Sequence, residues 1–197
     1  MKNLKEKFYK EIYGEEKVIT IKDKQLCELK EKVSFLNHTF STFENMKNNL
    51  LLKEILNSKE TNKEYINSYK TISSLSMSNM ENVITRAYLD SIGTIFSLDT
   101  DCFPKMLTII KSQLCTIIDL LNTSNDTFNI RKNLFNLNFS FGTLWLLISC
   151  TKSYCNKNNL KTQFKMLNIG IQMFFEKSSE LLELYLKYEK EVGVNGR

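Results

Sequence analysis

Apolar residues recur every three or four positions through most of the chain, which is the period of one face of an α-helix. The clearest run starts after Asp23, a candidate N-cap, and continues to about residue 57. Alternating steps of three and four residues are typical of coiled coils and helical bundles. The pattern predicts one helix of about 50 Å at 1.5 Å per residue. Its apolar stripe, called the α1 stripe below, consists of Leu26, Leu29, Val33, Leu36, Phe40 and Phe43.

A second long amphipathic helix is predicted over residues 160–191, where the same spacing returns. Between the two, apolar periodicity predicts helices at about 61–98, 104–121 and 127–154, with a polar loop at 122–126. We expect a break near 76–79, because serine favours helix caps over helix interiors. A short helix at 2–13 and a connector precede the first long helix. The stripe of the last helix consists of Leu160, Phe164, Leu167, Ile171, Phe174, Leu181, Tyr185 and Tyr188.

The glycine and proline content agrees with a helical fold. Only 6 Gly and 1 Pro occur in 197 residues, too few for the many turns of a sandwich or barrel. The one β-favouring run, 18–21, could add only a single strand, which cannot form a sheet. We therefore predict an all-α fold, an up-down bundle of five to seven helices with two long amphipathic members. The expected organisation is an N-terminal helix and connector at 1–22, one bundle domain at 23–192 and a flexible tail at 193–197.

Charge gives little support to nucleic-acid binding. The net charge is +5, from 27 Lys and Arg against 22 Asp and Glu, but only three of the basic residues are Arg. Arginine is the usual residue for bidentate contacts to phosphates and bases. The best candidate for a phosphate-binding surface is a basic ridge of Lys157, Lys161 and Lys165, spaced four residues apart. Arg131, Lys132 and Lys152 are expected to lie near it if neighbouring helices pack antiparallel.

Residues that could carry catalysis are scarce. The single histidine, His38, falls between apolar positions of the α1 stripe and is expected to face away from it. Asp99 and Asp101 have no further oxygen ligands nearby, so we expect them to cap the next helix instead of binding a metal. The 5 Cys are irregularly spaced, without a Cys-x-x-Cys pair, which predicts free thiols in a reducing compartment. We predict a cytoplasmic protein without catalysis, cofactor, metal or membrane span.

The aromatic residues and the glycines within helices suggest a binding role. Phe139, Phe141 and Trp145 lie on more than one side of their predicted helix and form a candidate partner-binding surface. Gly142 and Gly170, in mid-helix, predict close helix approach or a groove. The favoured function is a non-catalytic protein–protein interaction module, of adaptor or inhibitor type. The codon-driven excess of Lys, Asn and Ile suits an AT-rich virus, phage or mobile element.

Three alternatives stay open at this point. The α1 stripe could form a homodimer, as heptads of this kind do in coiled coils. The bundle could instead bind a small apolar ligand in a cavity lined by Phe, Met and the mid-helix glycines. It could also bind nucleic acid through the basic ridge.

Overall fold

The structure, a computed structural model, describes residues 21–78, 102–123 and 126–194. Within these ranges the chain is helical apart from short turns, and it contains no strand. This confirms the predicted all-α bundle. In chain order the elements are α1 (Ile21–Glu44), a 3₁₀ turn (Asn45–Asn48), α2 (Leu50–Leu56), α3 (Lys59–Ser78), α4 (Cys102–Thr123), α5 (Thr127–Cys150), α6 (Lys152–Lys157) and α7 (Lys161–Val194).

The four longest of these helices form the core of the bundle. Helix α1 packs against α4 and α7, and α5 packs against the same two helices from the opposite side. Residues early in α5 meet residues late in α7, as in the ion pair of Arg131 with Glu189. Phe43, late in α1, likewise meets Phe103, early in α4. Neighbours in this ring therefore run antiparallel, and α3 packs outside it against α5 and α6.

An aromatic cluster joins all four core helices at one level. The ring of Phe40 in α1 stands edge-on to Phe141 in α5 at 5.4 Å and to Phe174 in α7 at 5.6 Å. The rings of Phe141 and Phe174 stack on each other at 5.6 Å. Phe43 and Phe103 complete the cluster. Such ring pairs contribute about 0.5–1.5 kcal/mol each beyond the area they bury.

The prediction of one continuous helix through residue 57 is wrong. Helix α1 ends at Glu44, and α2 begins only at Leu50 after the 3₁₀ turn. Asn49 has extended backbone angles, φ −69° and ψ 117°, and its side chain accepts a hydrogen bond from the Leu52 amide at 3.0 Å. Asparagine competes for backbone groups in this way, so it caps helices better than it extends them. The asparagine-rich segment therefore turns the chain although its apolar spacing is helical.

Other boundaries agree more closely with the sequence. Helix α4 ends at Thr123, and the Asp126 carboxylate caps α5 by accepting from the Asn129 amide at 3.0 Å. This hydrogen bond lowers the pKa of Asp126. Helix α7 extends to Val194, past the predicted end at residue 191. The predicted helix at 2–13 and the cap at Asp99–Asp101 lie outside the described residues. Of the predicted break near 76–79, the structure describes residues 76–78, which are still helical in α3.

Candidate interaction surface

Helices α1 and α7 are neighbours, yet they leave a groove of about 630 Å³ between them. Its floor is apolar and includes the buried side chains of Leu36, Phe174 and Leu181. Its edges carry Phe35 of α1 and Met173 of α7, which are 69% and 57% exposed. Large apolar side chains that share an open surface mark sites of interaction.

Gly170 lines this groove, and no neighbouring atom sterically requires a glycine at this position. A Cβ atom built on Gly170 would meet no neighbouring atom within 4 Å. Glycine in a helix interior costs about 1 kcal/mol relative to alanine. The bundle interior therefore does not require a glycine here, and the absence of a side chain at this position leaves the groove wider.

The apolar surface continues along α7 beyond the groove. Met166 and Ile169 are 72% and 47% exposed, and both lie within one helical turn of Gly170 or Met173. Methionine side chains are unbranched and adapt to partner surfaces of different shape. Phe35, Met166, Ile169 and Met173, together with the groove, are called the docking face below.

Charged residues line one part of the groove in equal numbers of each sign. They are Glu31 and Lys32 of α1 and Lys177 and Glu180 of α7. Lys177 pairs with Glu180 at 2.8 Å, and Lys32 pairs with Glu28 at 2.9 Å, so three of these charges are satisfied within their own helices. The groove therefore suits an apolar occupant better than a strongly charged one.

The three aromatic residues predicted to bind a partner lie elsewhere, on α5. Phe141 is fully buried in the aromatic cluster and has no surface to offer a partner. The indole of Trp145 stacks on Phe175 at 5.6 Å and donates to the Asn168 side chain at 3.1 Å. Phe139 is partly buried and packs against the core. Their contacts therefore serve packing inside the bundle.

The α1 stripe is also used within one chain. Leu29, Val33, Leu36 and Phe40 are buried in the core, and Leu26 and Phe43 pack against it. A homodimer through this stripe would require the bundle to open and to exchange its core for an intermolecular one. The heptad spacing thus reflects packing against α4 and α7.

The basic ridge is less concentrated than expected. Lys157 forms an ion pair with Glu60 of α3, while Lys161 and Lys165 are exposed on α7. Arg131 does not join them, because antiparallel packing places it beside Glu189 at 3.3 Å. From Lys161 to Glu189 the helix rises about 42 Å. The expected clustering of Arg131 with the ridge is therefore wrong.

Groups that could carry chemistry lie apart from one another. His38 is exposed on α1, facing away from the α1 stripe as predicted. Burial raises the pKa of the Cys150 and Cys155 thiols, and none of the five cysteines forms a disulfide. Across residues 21–78, 102–123 and 126–194, no three His, Cys, Asp or Glu side chains come together in a way that could hold a metal ion.

One stretch of the described chain, Thr127–Lys157, is long and apolar enough to cross a bilayer by length and composition. In the fold, 56% of its most apolar window is buried among the other helices. The central helix of a bundle meets the same criterion, because its neighbours cover it from several sides.

No family model matches this chain, and no curated protein or solved structure matches it either.

Proposed function

We propose that the protein is a non-catalytic helical-bundle interaction module that binds the apolar side of a helix from a protein partner through its docking face. The observation that carries the proposal is the apolar groove between α1 and α7, with the exposed side chains of Phe35 and Met173 at its edges. Side chains on two neighbouring helices form ridges and grooves into which those of a third helix can fit. Helix-in-groove binding is a recurring mode of protein recognition.

The dimensions of the docking face support a helical partner. Met166 and Met173 are seven residues apart, which corresponds to about 10 Å, or two helical turns. A partner helix with apolar residues at positions i, i+3 or i+4, and i+7 presents a stripe of the same length. Burying each large apolar side chain contributes about 1.5–3 kcal/mol before the cost of association.

The placement of two of the thiols, Cys150 and Cys155, and of the histidine supports a non-catalytic role. Burial raises the pKa of the Cys150 and Cys155 thiols, so both favour the unreactive protonated form. His38 is exposed on α1, away from the apolar groove floor. Five cysteines without a disulfide also suit a reducing, cytoplasmic compartment, which belongs to the same proposal.

A small apolar ligand is a second candidate, because about 630 Å³ falls within the range of small-molecule sites. Such sites usually hold their ligand with a few convergent polar groups. In this groove the Thr39 hydroxyl donates to the Phe35 carbonyl of its own helix at 2.9 Å. Lys177 and Glu180 neutralise each other. The lining is therefore better suited to an extended apolar surface, and a helix is the favoured occupant.

Site-specific photo-crosslinking of the full chain in its native cells tests the proposal. A photoreactive amino acid is placed at Phe35 in the docking face or, as a matched control, at Phe128 on α5, which is 54% exposed. We expect position 35, and not position 128, to give a discrete protein adduct whose linked peptide comes from an amphipathic helix. Adding Met173→Glu should abolish the adduct. Equal adducts from both positions, or an adduct indifferent to Met173→Glu, would overturn the proposal.

A further inference from the structure

The outward side of α7 carries charge in a symmetric order. Lys165 and Glu176 lie at equal distances along the chain from the midpoint between Gly170 and Ile171. Lys165 comes before this midpoint and Glu176 after it. The exposed apolar residues of α7, which are Met166, Ile169 and Met173, lie between these two charges. The helix is therefore complementary to a copy of itself that runs in the opposite direction.

Lys165 and Glu176 also lie on the same side of the helix. Eleven residues separate them, and at 3.6 residues per turn they differ by about 20° around the axis. Both flank the row of Met166, Ile169 and Met173 on the side turned away from α1. Two antiparallel helices can be related by a two-fold axis perpendicular to the plane that contains them. This rotation keeps each residue on the same side of that plane and reverses its height along the helix axis. Lys165 of one α7 helix would then meet Glu176 of the other across such an antiparallel pair.

We infer that the helix bound by the docking face is α7 of a second copy of this chain, packed antiparallel about a two-fold axis near Gly170. The inference rests on the proposed function and names its partner. Lys165 of each copy lies level with Glu176 of the partner subunit, giving two symmetric ion pairs. In a parallel dimer of the same helices, Lys165 would instead lie level with Lys165 of the partner subunit and Glu176 level with its own counterpart, so neither ion pair would form. The charges therefore set the antiparallel direction.

Both charges are available for this pairing. Within the described part of the chain, Lys165 forms no ion pair, and Glu176 only accepts a hydrogen bond from Gln172 of its own helix at 2.9 Å. Exposed ion pairs are weak, so the apolar row supplies most of the affinity and the charges supply the direction. Stable interfaces bury roughly 800 Å² per partner, which requires Phe35 and the groove to contribute along with α7.

Sedimentation equilibrium of the full chain over a range of concentrations tests the inference by charge exchange. Lys165→Glu and Glu176→Lys should each raise the dimer dissociation constant by roughly tenfold, because each change places like charges at both symmetric contacts. An equimolar mixture of the two variants should regain nearly wild-type affinity as a heterodimer. Lys132→Glu, an exposed charge reversal on α5, is the matched control and should behave as wild type.

The outcomes separate this inference from the proposed function. A wild-type chain that is monomeric at all concentrations overturns the second-copy inference. A dimer that is unaffected by both charge variants, or not restored by mixing them, also overturns it. If Phe35 still crosslinks to another protein in either case, the docking face retains its proposed function with a different partner. Circular dichroism of each variant confirms that a lost dimer does not reflect a lost fold.

Discussion

Helix α7 packs closely on one side and loosely on the other, and two glycines show the difference. On the α5 side, a Cβ on Gly142 would lie 3.2 Å from the ring of Phe175. On the α1 side, a Cβ on Gly170 would meet no neighbouring atom. At Gly142 the Phe175 ring leaves little room for a side chain, whereas at Gly170 the space beside the helix stays open as a groove. The same residue in mid-helix has two different physical roles in one molecule.

The two sides of α7 also differ in their polar contacts. On the α5 side, the Asn138 amide donates to Ser178 at 3.0 Å and to Ser179 at 2.7 Å. Trp145 adds a third hydrogen bond between the two helices through Asn168. Such networks fix the register of two helices, because shifting them would leave part-buried polar groups unsatisfied. The groove floor on the α1 side is apolar, and apolar contacts are not directional.

The largest expected effect compares two phenylalanines. Phe141→Ala removes a fully buried ring from the aromatic cluster and should lower the free energy of unfolding by about 3–5 kcal/mol. Phe35→Ala removes a ring that is 69% exposed and should change it by less than about 0.5 kcal/mol. Urea denaturation of both variants measures the difference. A comparable loss for Phe35→Ala would show that the groove is closed in solution.

An intermediate effect is expected for the polar contacts. Asn138→Ala removes both hydrogen bonds to the serines of α7 and should cost about 1–2 kcal/mol. Thr39→Ala removes a hydroxyl that bonds only within α1, at the groove, and should be nearly neutral. Urea denaturation again gives both values. Equal costs would mean that the two sides of α7 are similarly ordered.

The two glycines should respond in opposite senses to alanine. Gly170→Ala gains helix propensity without a clash and should stabilise the fold by up to about 1 kcal/mol. Gly142→Ala gains the same propensity but must displace Phe175, and overpacking typically costs about 1–3 kcal/mol. Thermal unfolding should therefore rank Gly170→Ala above wild type and Gly142→Ala below it. The reverse order would contradict the assignment of the closed and open sides.

The closed parts of the molecule were predictable from the sequence, because burial imposes periodicity. The α1 stripe and the stripe of α7 correctly identified core residues such as Val33, Phe40, Ile171 and Tyr185. The break at residues 45–49 was missed because apolar spacing continued across it. The cap formed by Asn49 depends on one local hydrogen bond, which periodicity does not register.

The docking face was missed for a different reason. Met166, Ile169 and Met173 repeat at three and four residues, but they form a second row on the outer side of a helix whose inner row already accounted for its burial. Two apolar rows on one helix are a signal that one of them stays exposed when neighbouring helices cover only the other. The sequence favours Phe139, Phe141 and Trp145 as a binding surface because aromatic residues are common at interfaces, but aromatic residues are also common in cores.

The smallest expected effect concerns Tyr185, which lies on the closed side of α7. Its phenol donates to the Thr127 carbonyl at 3.0 Å, and burial, reinforced by the Glu189 carboxylate, raises its pKa. In the unfolded chain a tyrosine titrates near pH 10. Because the pKa of Tyr185 is higher in the folded chain than in the unfolded chain, the protonated phenol stabilises the fold. This stabilisation is complete below about pH 10 and is lost as the pH rises above that value. At pH 10.5 the loss should be about 0.8 kcal/mol relative to pH 8.

Tyr185→Phe separates this contribution from the titration of the other tyrosines. The variant should be less stable than wild type at pH 8 by about 1 kcal/mol, because it lacks the hydrogen bond to Thr127. It should also lose less stability between pH 8 and pH 10.5, since the phenylalanine cannot ionise in the unfolded chain. Urea denaturation at the two pH values gives both differences. Identical pH dependence in the two proteins would mean that the Tyr185 hydroxyl titrates as freely in the fold as in the unfolded chain. The α5 side of α7 would then be open to water, as the α1 side is, and the contrast between the two sides would not hold.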